Sequence, residues 1–282
     1  MTIVINEMTD LDFLEAQNAF NFEGADADFL LAFERKLSTL FAIRGDDQLV
    51  GIAQLEEGKK AYLYVFVSPI YRCKGIGSKA ISLCENKLSS SGTEAIMTTY
   101  NCVDVMAKTF AHKNGFTRKF SSTFMRYSGK AFDLPELSIR KYCDEDYEAA
   151  HALYAIAFHE MRMRVGDFPD SAVEQPSDEM RALWGKTASE RLVYTQDGEV
   201  VGYAHFEGNE LGSISIKSEH QGQGLGRNFV KYICGAILSD GNTTVDLYCV
   251  VGNKARLLYD QLGFRAIYTA EFAIKNKEAV PQ

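Results

Sequence analysis

The sequence has no apolar run near the roughly 20 residues that a membrane-spanning helix needs, so no membrane partner is expected. It has no C-x-x-C pair. Its six cysteines, Cys73, Cys84, Cys102, Cys143, Cys234 and Cys249, are scattered along the chain. That spacing gives no support for a metal site and predicts reduced, mostly buried thiols. Basic residues are in the minority, 30 Lys and Arg against 38 Asp and Glu, for a net charge of −8. Such a balance argues against any general affinity for nucleic acid or anionic membranes. The opening stretch, M-T-I-V-I-N-E-M-T-D, has neither a basic n-region nor a long apolar h-region. No signal peptide is expected, and the expected location is cytoplasmic.

What the chain does contain is a glycine-spaced loop. Residues 213–216 alternate and read as a strand. Gly222, Gly224 and Gly226 follow at every second position. A helix then opens, with Phe229, Val230, Ile233 and Ile237 on one stripe. Glycine lets backbone come close to a ligand, and the free amides of a helix start attract an anion. A strand, a glycine loop and a helix in that order form a cradle for a pyrophosphate. The pattern occurs twice. Arg72, Gly75 and Gly77 fall where Gln221, Gly224 and Gly226 fall, at one constant offset, and Val67 and Ile216 share it. Residues 50–56 align with 201–207, and Gly115-Phe116 with Gly263-Phe264. The chain is an internal duplication, which predicts two domains of ordinary size.

Periodicity predicts, in the first half, a strand over residues 3–6 and helices over 11–20 and 29–37, with Asp10 as N-cap. A hairpin of 40–43 and 49–56, a central strand at 62–67 and a helix over 77–88 follow. A strand over 95–100, a helix over 103–113 and a closing strand over 116–127 complete that half. The stretch G-K-A-F-D-L-P-E, residues 129–136, breaks the pattern and divides domain 1–129 from domain 136–282. The second half repeats the order: a strand over 137–141, a helix over 144–158, an irregular stretch over 161–177 and a helix over 178–187. A hairpin of 191–195 and 199–207 leads to the central strand, glycine loop and helix. A strand over 243–250, a helix over 253–261 and a strand over 264–274 end it.

Three groups of residues carry a family resemblance. They are Arg72-Cys73-Lys74-Gly75-Ile76-Gly77, Gln221-Gly222-Gln223-Gly224-Leu225-Gly226, and Asn253 with Leu258-Tyr259-Asp260-Gln261-Leu262-Gly263-Phe264. With them the sequence resembles the GNAT N-acetyltransferase superfamily, once per half. The resemblance implies an α/β fold, a twisted mixed sheet with helices on both faces, in two tandem acyl-CoA N-acyltransferase domains. It implies acetyl-CoA as cofactor and a primary amine of a small molecule as acceptor. A protein or peptide N-terminus is the alternative acceptor, and a non-catalytic coenzyme A-binding sensor or scaffold is the alternative to an enzyme. The second half is the longer between its first and central strands, in the region that walls the acceptor site in this fold. That extra length reads either as a specific pocket or as a neutral surface insertion.

The resemblance also implies site residues. In the second half Ile214, Ser215 and Ile216 would meet the thioester through their backbone. Gln221, Gly222, Gln223, Gly224, Leu225, Gly226 and Arg227 would surround the pyrophosphate, and Asn253 would assist. In the first half the counterparts are Val65, Val67, Arg72, Lys74, Gly75 and Gly77. The first loop is the more basic, so coenzyme A binding stays open for both halves. Tyr259, four residues before Gly263, stands at the position of the family's proton donor. A phenol with a pKa of about 10 can protonate a departing thiolate. Ala111 occupies the matching place in the first half and cannot. The first domain therefore reads as catalytically degenerate and the second as competent. Asn253 lies one residue closer to Tyr259 than the family spacing, which leaves helix capping as its role. Asp246, on one strand face with Tyr248, is the candidate general base. His205 and Glu207 share a face of another strand, and Glu56 in the first half matches Glu207, which points to a structural role there. His159 and Glu160 face either an acceptor or solvent.

Overall fold

The computed structural model describes residues 2–23, 25, 27–35 and 38–277. They form two compact units, Met1–Lys119 with Ala270–Gln282, and Phe120–Thr269.

The first unit begins with β1 (Ile3–Glu7), α1 (Asp10–Ala19) and α2 (Ala27–Arg35). Thr9, not Asp10, caps α1: its hydroxyl accepts from the Asp12 amide, while the Asp12 carboxylate accepts from the Thr9 amide. The predicted end of α2 at Leu37 lies outside the described residues. β2 (Thr39–Gly45) and β3 (Gln48–Glu56) form a hairpin, and β4 (Lys60–Val67) continues it antiparallel. The hairpin turns on Asp46 and Asp47, both with positive φ, the geometry that matches the twist of the strands. α3 (Ile76–Lys87), β5 (Ala95–Asn101) and α4 (Val105–Lys113) follow. β5 runs parallel to β4 only from Lys60↔Ala95 to Tyr62↔Met97, after which the two strands part. One face of the sheet packs Leu63, Ile81, Ile96 and Phe116 with the α3 side. The other packs Phe20, Phe29, Phe33 and Phe66 with α1 and α2.

The second unit repeats this plan. β7 (Ile139–Lys141), α5 (Tyr147–Val165) and α6 (Asp178–Lys186) precede β8 (Arg191–Gln196), β9 (Glu199–Glu207) and β10 (Glu210–Ile216). α7 (Leu225–Ser239), β11 (Val245–Val250) and α8 (Ala255–Leu262) complete it. α5 runs well past the expected Phe158, through residues read as irregular from sequence, and stops where Gly166 enters the left-handed region at φ 81°. β10 and β11 are parallel and paired only at Glu210↔Asp246 and Leu211↔Leu247 before they diverge. α7 buries Phe229, Val230, Ile233 and Ile237, the predicted stripe. α5 lies on the opposite face, over β9 and β10.

The closing strands do not stay with the half that encodes them. β6 (Thr117–Tyr127) pairs antiparallel with β11, from Tyr127↔Val245 to Ser122↔Val250, inside the second unit. The end of β12 (Arg265–Asn276) pairs with β5, from Ala270↔Asn101 to Asn276↔Ala95, inside the first. The compact units are therefore not divided at the break over residues 129–136. All six cysteines are free; Cys84, Cys234 and Cys249 are buried and Cys73, Cys102 and Cys143 exposed, so half of them are buried, not most. Among the described residues no cluster of three metal-ligating side chains occurs, and no helix is long and apolar enough to cross a membrane.

Candidate active site

Both glycine loops fold the same way, and the duplicated residues explain why. Each follows the end of a central strand and delivers the chain into a helix whose N-cap is a glycine in the left-handed region: Gly75 at φ 78° before α3 and Gly224 at φ 84° before α7. Only glycine holds that conformation without steric cost. The first residue of each motif braces its loop. Arg72 Nε donates to the Val67 carbonyl at 2.9 Å, and Gln221 Nε2 to the matching Ile216 carbonyl at 3.0 Å. A second matched brace runs from Lys74 Nζ to the Ile70 carbonyl and from Gln223 Nε2 to the Glu219 carbonyl, each at 3.0 Å. The loops differ in one strained position. Cys73 sits at φ 58° where the other loop has Gly222 at φ 76°.

Charge separates the two loops. Arg72 and Lys74 pair with carbonyls and keep their positive charge beside the first cradle. In the second, Lys217 is paired with Glu199 and Glu219, and Arg227 donates to Gln261. A cleft of about 530 Å³ opens in the first unit where β4 and β5 part. Val65, Val67, Arg72, Gly75 and Gly77 all line it, together with Tyr100 and Phe110. The Phe110 ring stands so close to Gly77 that a Cβ there would sit 2.8 Å from its Cζ. An elongated thioester arm fits this arrangement: free helix amides and a cation at one end, and a mainly apolar slot between splayed strands below.

The faces opposite α3 and α7 differ in chemistry. In the first unit Phe66 and Tyr64 of β4 lie against Phe20, Phe22 and Phe29. In the second, the corresponding residues of β10 are Ser215 and Ser213. Ser215 is only 4% exposed, and its hydroxyl has no hydrogen-bond partner. Ser213 stands directly across from His205 of β9, and His205 across from Arg191 of β8. The pairing of β9 and β10 shifts by one residue between Leu211 and Ser213, at the point where β10 leaves β11. A bulge at the mouth of a splay aims backbone amides out of the ladder.

Tyr259 lies on α8 within the core, beside Phe264, and burial pushes its phenol above the ordinary value. The phenol therefore stays protonated at neutral pH. Ala111 holds the same helical position in the first unit, also buried. Asp246 is fully engaged. Its carboxylate accepts from Arg126 Nε at 2.7 Å and Nη2 at 2.8 Å, and from Asn209 Nδ2 at 3.0 Å, at the paired end of β10 and β11. Asn253 Oδ1 accepts from the Ala255 amide at 3.0 Å in a turn just ahead of α8, whose N-cap position is Lys254. His205 is half-buried; burial and the neighbouring Arg191 charge lower its pKa, against Glu190 and Glu207. His159 bonds to Ser171, and Glu160 accepts from Ser218 beside the glycine loop. Sequence reasoning did not single out Arg191, whose partners are set by strand register.

Comparison with known proteins agrees with this geometry. Residues 5–116 match the model of the acetyltransferase (GNAT) family, and residues 155–281 that of an acetyltransferase (GNAT) domain. A GCN5-related N-acetyltransferase from Sphaerobacter thermophilus superposes with a TM-score of 0.66 at 16% identity, over 99% of this chain and 98% of its own. A tandem GNAT protein from the clavulanic acid biosynthesis pathway gives 0.62 at 14%, over 99% and 100%. A GNAT-family acetyltransferase from Colwellia psychrerythraea gives 0.58 at 14%, over 98% and 100%. No curated protein sequence gives a significant match. At these identities the structures speak for the fold. Two family models in succession and two splayed parallel strand pairs, each with its glycine loop, make the chain a tandem member of the GNAT acetyltransferase superfamily.

Proposed function

We propose that the protein is an acetyl-CoA-dependent N-acetyltransferase whose second unit passes the acetyl group to a primary amine of a small molecule. One contrast carries this reading. The second unit has Tyr259 and the polar face of Ser213, Ser215 and His205, where the first has Ala111 and a wall of phenylalanines. Acetyl-CoA supplies the activated acyl thioester. The amides at the start of α7 grip its pyrophosphate, with the helix dipole behind them. Backbone amides of Ile214–Ile216 polarise the carbonyl. His205, held neutral, takes the proton of the incoming ammonium, a role better suited to it than to Asp246, whose oxygens are already bound. Tyr259 returns a proton to the leaving sulfur.

A second reading has support of its own. The 530 Å³ cleft and the more basic loop belong to the first unit. They favour an additional coenzyme A site there, one that holds the cofactor without turning it over. The decisive experiment measures thiol release from acetyl-CoA across polyamines, aminoglycosides, amino acids and peptides. Tyr259→Phe should keep cofactor affinity and lower kcat by about a hundredfold or more, the usual worth of general acid catalysis. Unchanged kcat would remove Tyr259 from the reaction. Cofactor binding with no acceptor-dependent release would favour a sensor.

A further inference from the structure

The α5 and α6 side of the second unit is organised around Trp184. Tyr142, Tyr147, His151, Tyr154 and Tyr203 all place their rings within 6.1 Å of it, and Tyr203 stacks parallel at 4.6 Å. Into this aromatic shell the chain inserts a charge. Arg191 is 6% exposed, and its guanidinium lies 4.6 Å over the Trp184 ring. It donates from Nε to Thr187 Oγ1 at 3.1 Å and from Nη1 to the Tyr203 hydroxyl. A guanidinium has five N–H groups. Among the described residues the other three find no protein acceptor, and no carboxylate forms an ion pair with Arg191. Buried charges in proteins are ordinarily paired, because an unpaired one has given up its hydration for nothing.

The polar groups around it are left over in the same sense. Ser215 and Tyr142 each bury a hydroxyl without a hydrogen-bond partner, and His151 Nε2, also without a hydrogen bond, lies 3.9 Å from the Glu174 carboxylate. The two hydroxyls are potential donors, as is the His151 ring nitrogen in one tautomer. Ser215 stands directly opposite Tyr203, the residue that Arg191 touches. The row runs from buried Arg191 to His205, whose side chain is 25% exposed, and the half-buried Ser213 at the splay. One end of the row is a buried cation among unused donors, and the other end is the place where an amine would be acylated.

We infer that the second unit binds an acceptor carrying a carboxylate, held by Arg191 and Ser215, with its amine toward His205. This rests on the reading of the second unit as the transferring one. The ligand class follows from charge and shape. A planar guanidinium matches a carboxylate through two parallel hydrogen bonds. One cation in a low-dielectric shell balances a monoanion and leaves a phosphate dianion uncompensated. Glu190 lies 3.8 Å from His205 and gives that end of the row a negative charge for the ammonium.

The chain contains a single tryptophan, so its fluorescence reports on the ring that Arg191 covers. The full-length protein is titrated with the standard amino acids and β-alanine, each against its carboxamide, and with inorganic phosphate. At least one carboxylate should give a saturable change, with its carboxamide binding at least about tenfold more weakly, as expected for loss of a charge-assisted hydrogen bond. Arg191→Gln should abolish the preference, and Arg191→Lys should weaken it. Ser215→Ala guards against misfolding of the arginine variants. It removes an unsatisfied buried hydroxyl, so its Tm should stay level or rise while carboxylate affinity falls. Equal binding of acid and amide, a response to phosphate alone, no saturable change at all, or native affinity in Ser215→Ala each overturns the proposal. Thiol release with plain amines but no preference for carboxylates sinks this inference and leaves acetyl transfer standing. Carboxylate binding without thiol release does the reverse.

Discussion

His205 shows how one residue draws its chemistry from its row. Burial disfavours its charged form, and Arg191 across the strand adds to the effect, while Glu190 and Glu207 oppose it. The folded pKa therefore lies below the ordinary value of about 6.5. Its sign for stability follows: the contribution is fully present above that value and is lost as pH falls through the folded pKa. As a base it stays competent at neutral pH. The acid limb of kcat/KM should lie at lower pH than that of an ordinary imidazole, and His205→Gln should remove that limb while cofactor affinity persists. An acid limb unchanged in His205→Gln would transfer the base role elsewhere. In the sequence His205 shares a strand face with Glu207, to which the match with Glu56 gives a structural role, and Asp246 is the candidate base. What favours His205 over Asp246 is its neighbour on β8 and the bonds that already occupy Asp246, and neither can be read from strand alternation.

At the scale of the element, the glycine loops were the most legible part of the chain. Their spacing encodes backbone angles directly, and the φ values of Gly75 and Gly224 are those a helix-capping turn requires. Less legible were the side chains between the glycines. Arg72 and Gln221 share a motif position because both must reach the carbonyl that ends the preceding strand, a local bond that a pattern of residue types does not reveal. The same logic gives a stability prediction. Cys73 holds a left-handed conformation that costs a non-glycine residue about 1 kcal/mol or more. Cys73→Gly should raise Tm, partly offset by the greater unfolded-state entropy of glycine, and thermal unfolding checks it. Gly224→Val should do the opposite in the second loop and lower cofactor affinity there, measured by calorimetric titration; two sites of native affinity in that variant would count against the cradle. The end of α5 illustrates a further limit. Residues from Met161 to Val165 carry no strong periodicity, and the helix continues until a glycine permits it to stop.

At the scale of the whole molecule, the order of elements could be read in both halves, because hydrophobic periods of two and near four alternate along the chain. The partner of each closing strand could not. β6 and β12 occupy equivalent places in the duplication, and each satisfies the same apolar alternation against either receiving strand. Register across a sheet is a long-range choice, and the hydrogen bond from Tyr100 to Glu271 spans 171 residues. Ending the chain at Thr269 should therefore damage the first unit. β5 would lose its antiparallel partner, Tyr100 and Lys108 their carboxylate, and Glu85 its lysine. Hydrogen exchange at residues 95–101 should accelerate sharply in that truncation, while the amides of α7 keep their protection. Equal protection of β5 in both proteins would show that the first unit stands without its borrowed strand.

That borrowed strand also sets a schedule. A ribosome releases the first unit's β5 some 170 residues before the strand that covers its edge, a wait on the order of ten seconds at usual elongation rates. Throughout that interval the nascent chain carries an open row of backbone donors and acceptors, an invitation to any extended peptide nearby. Completion of the first unit thus waits until the second has been made.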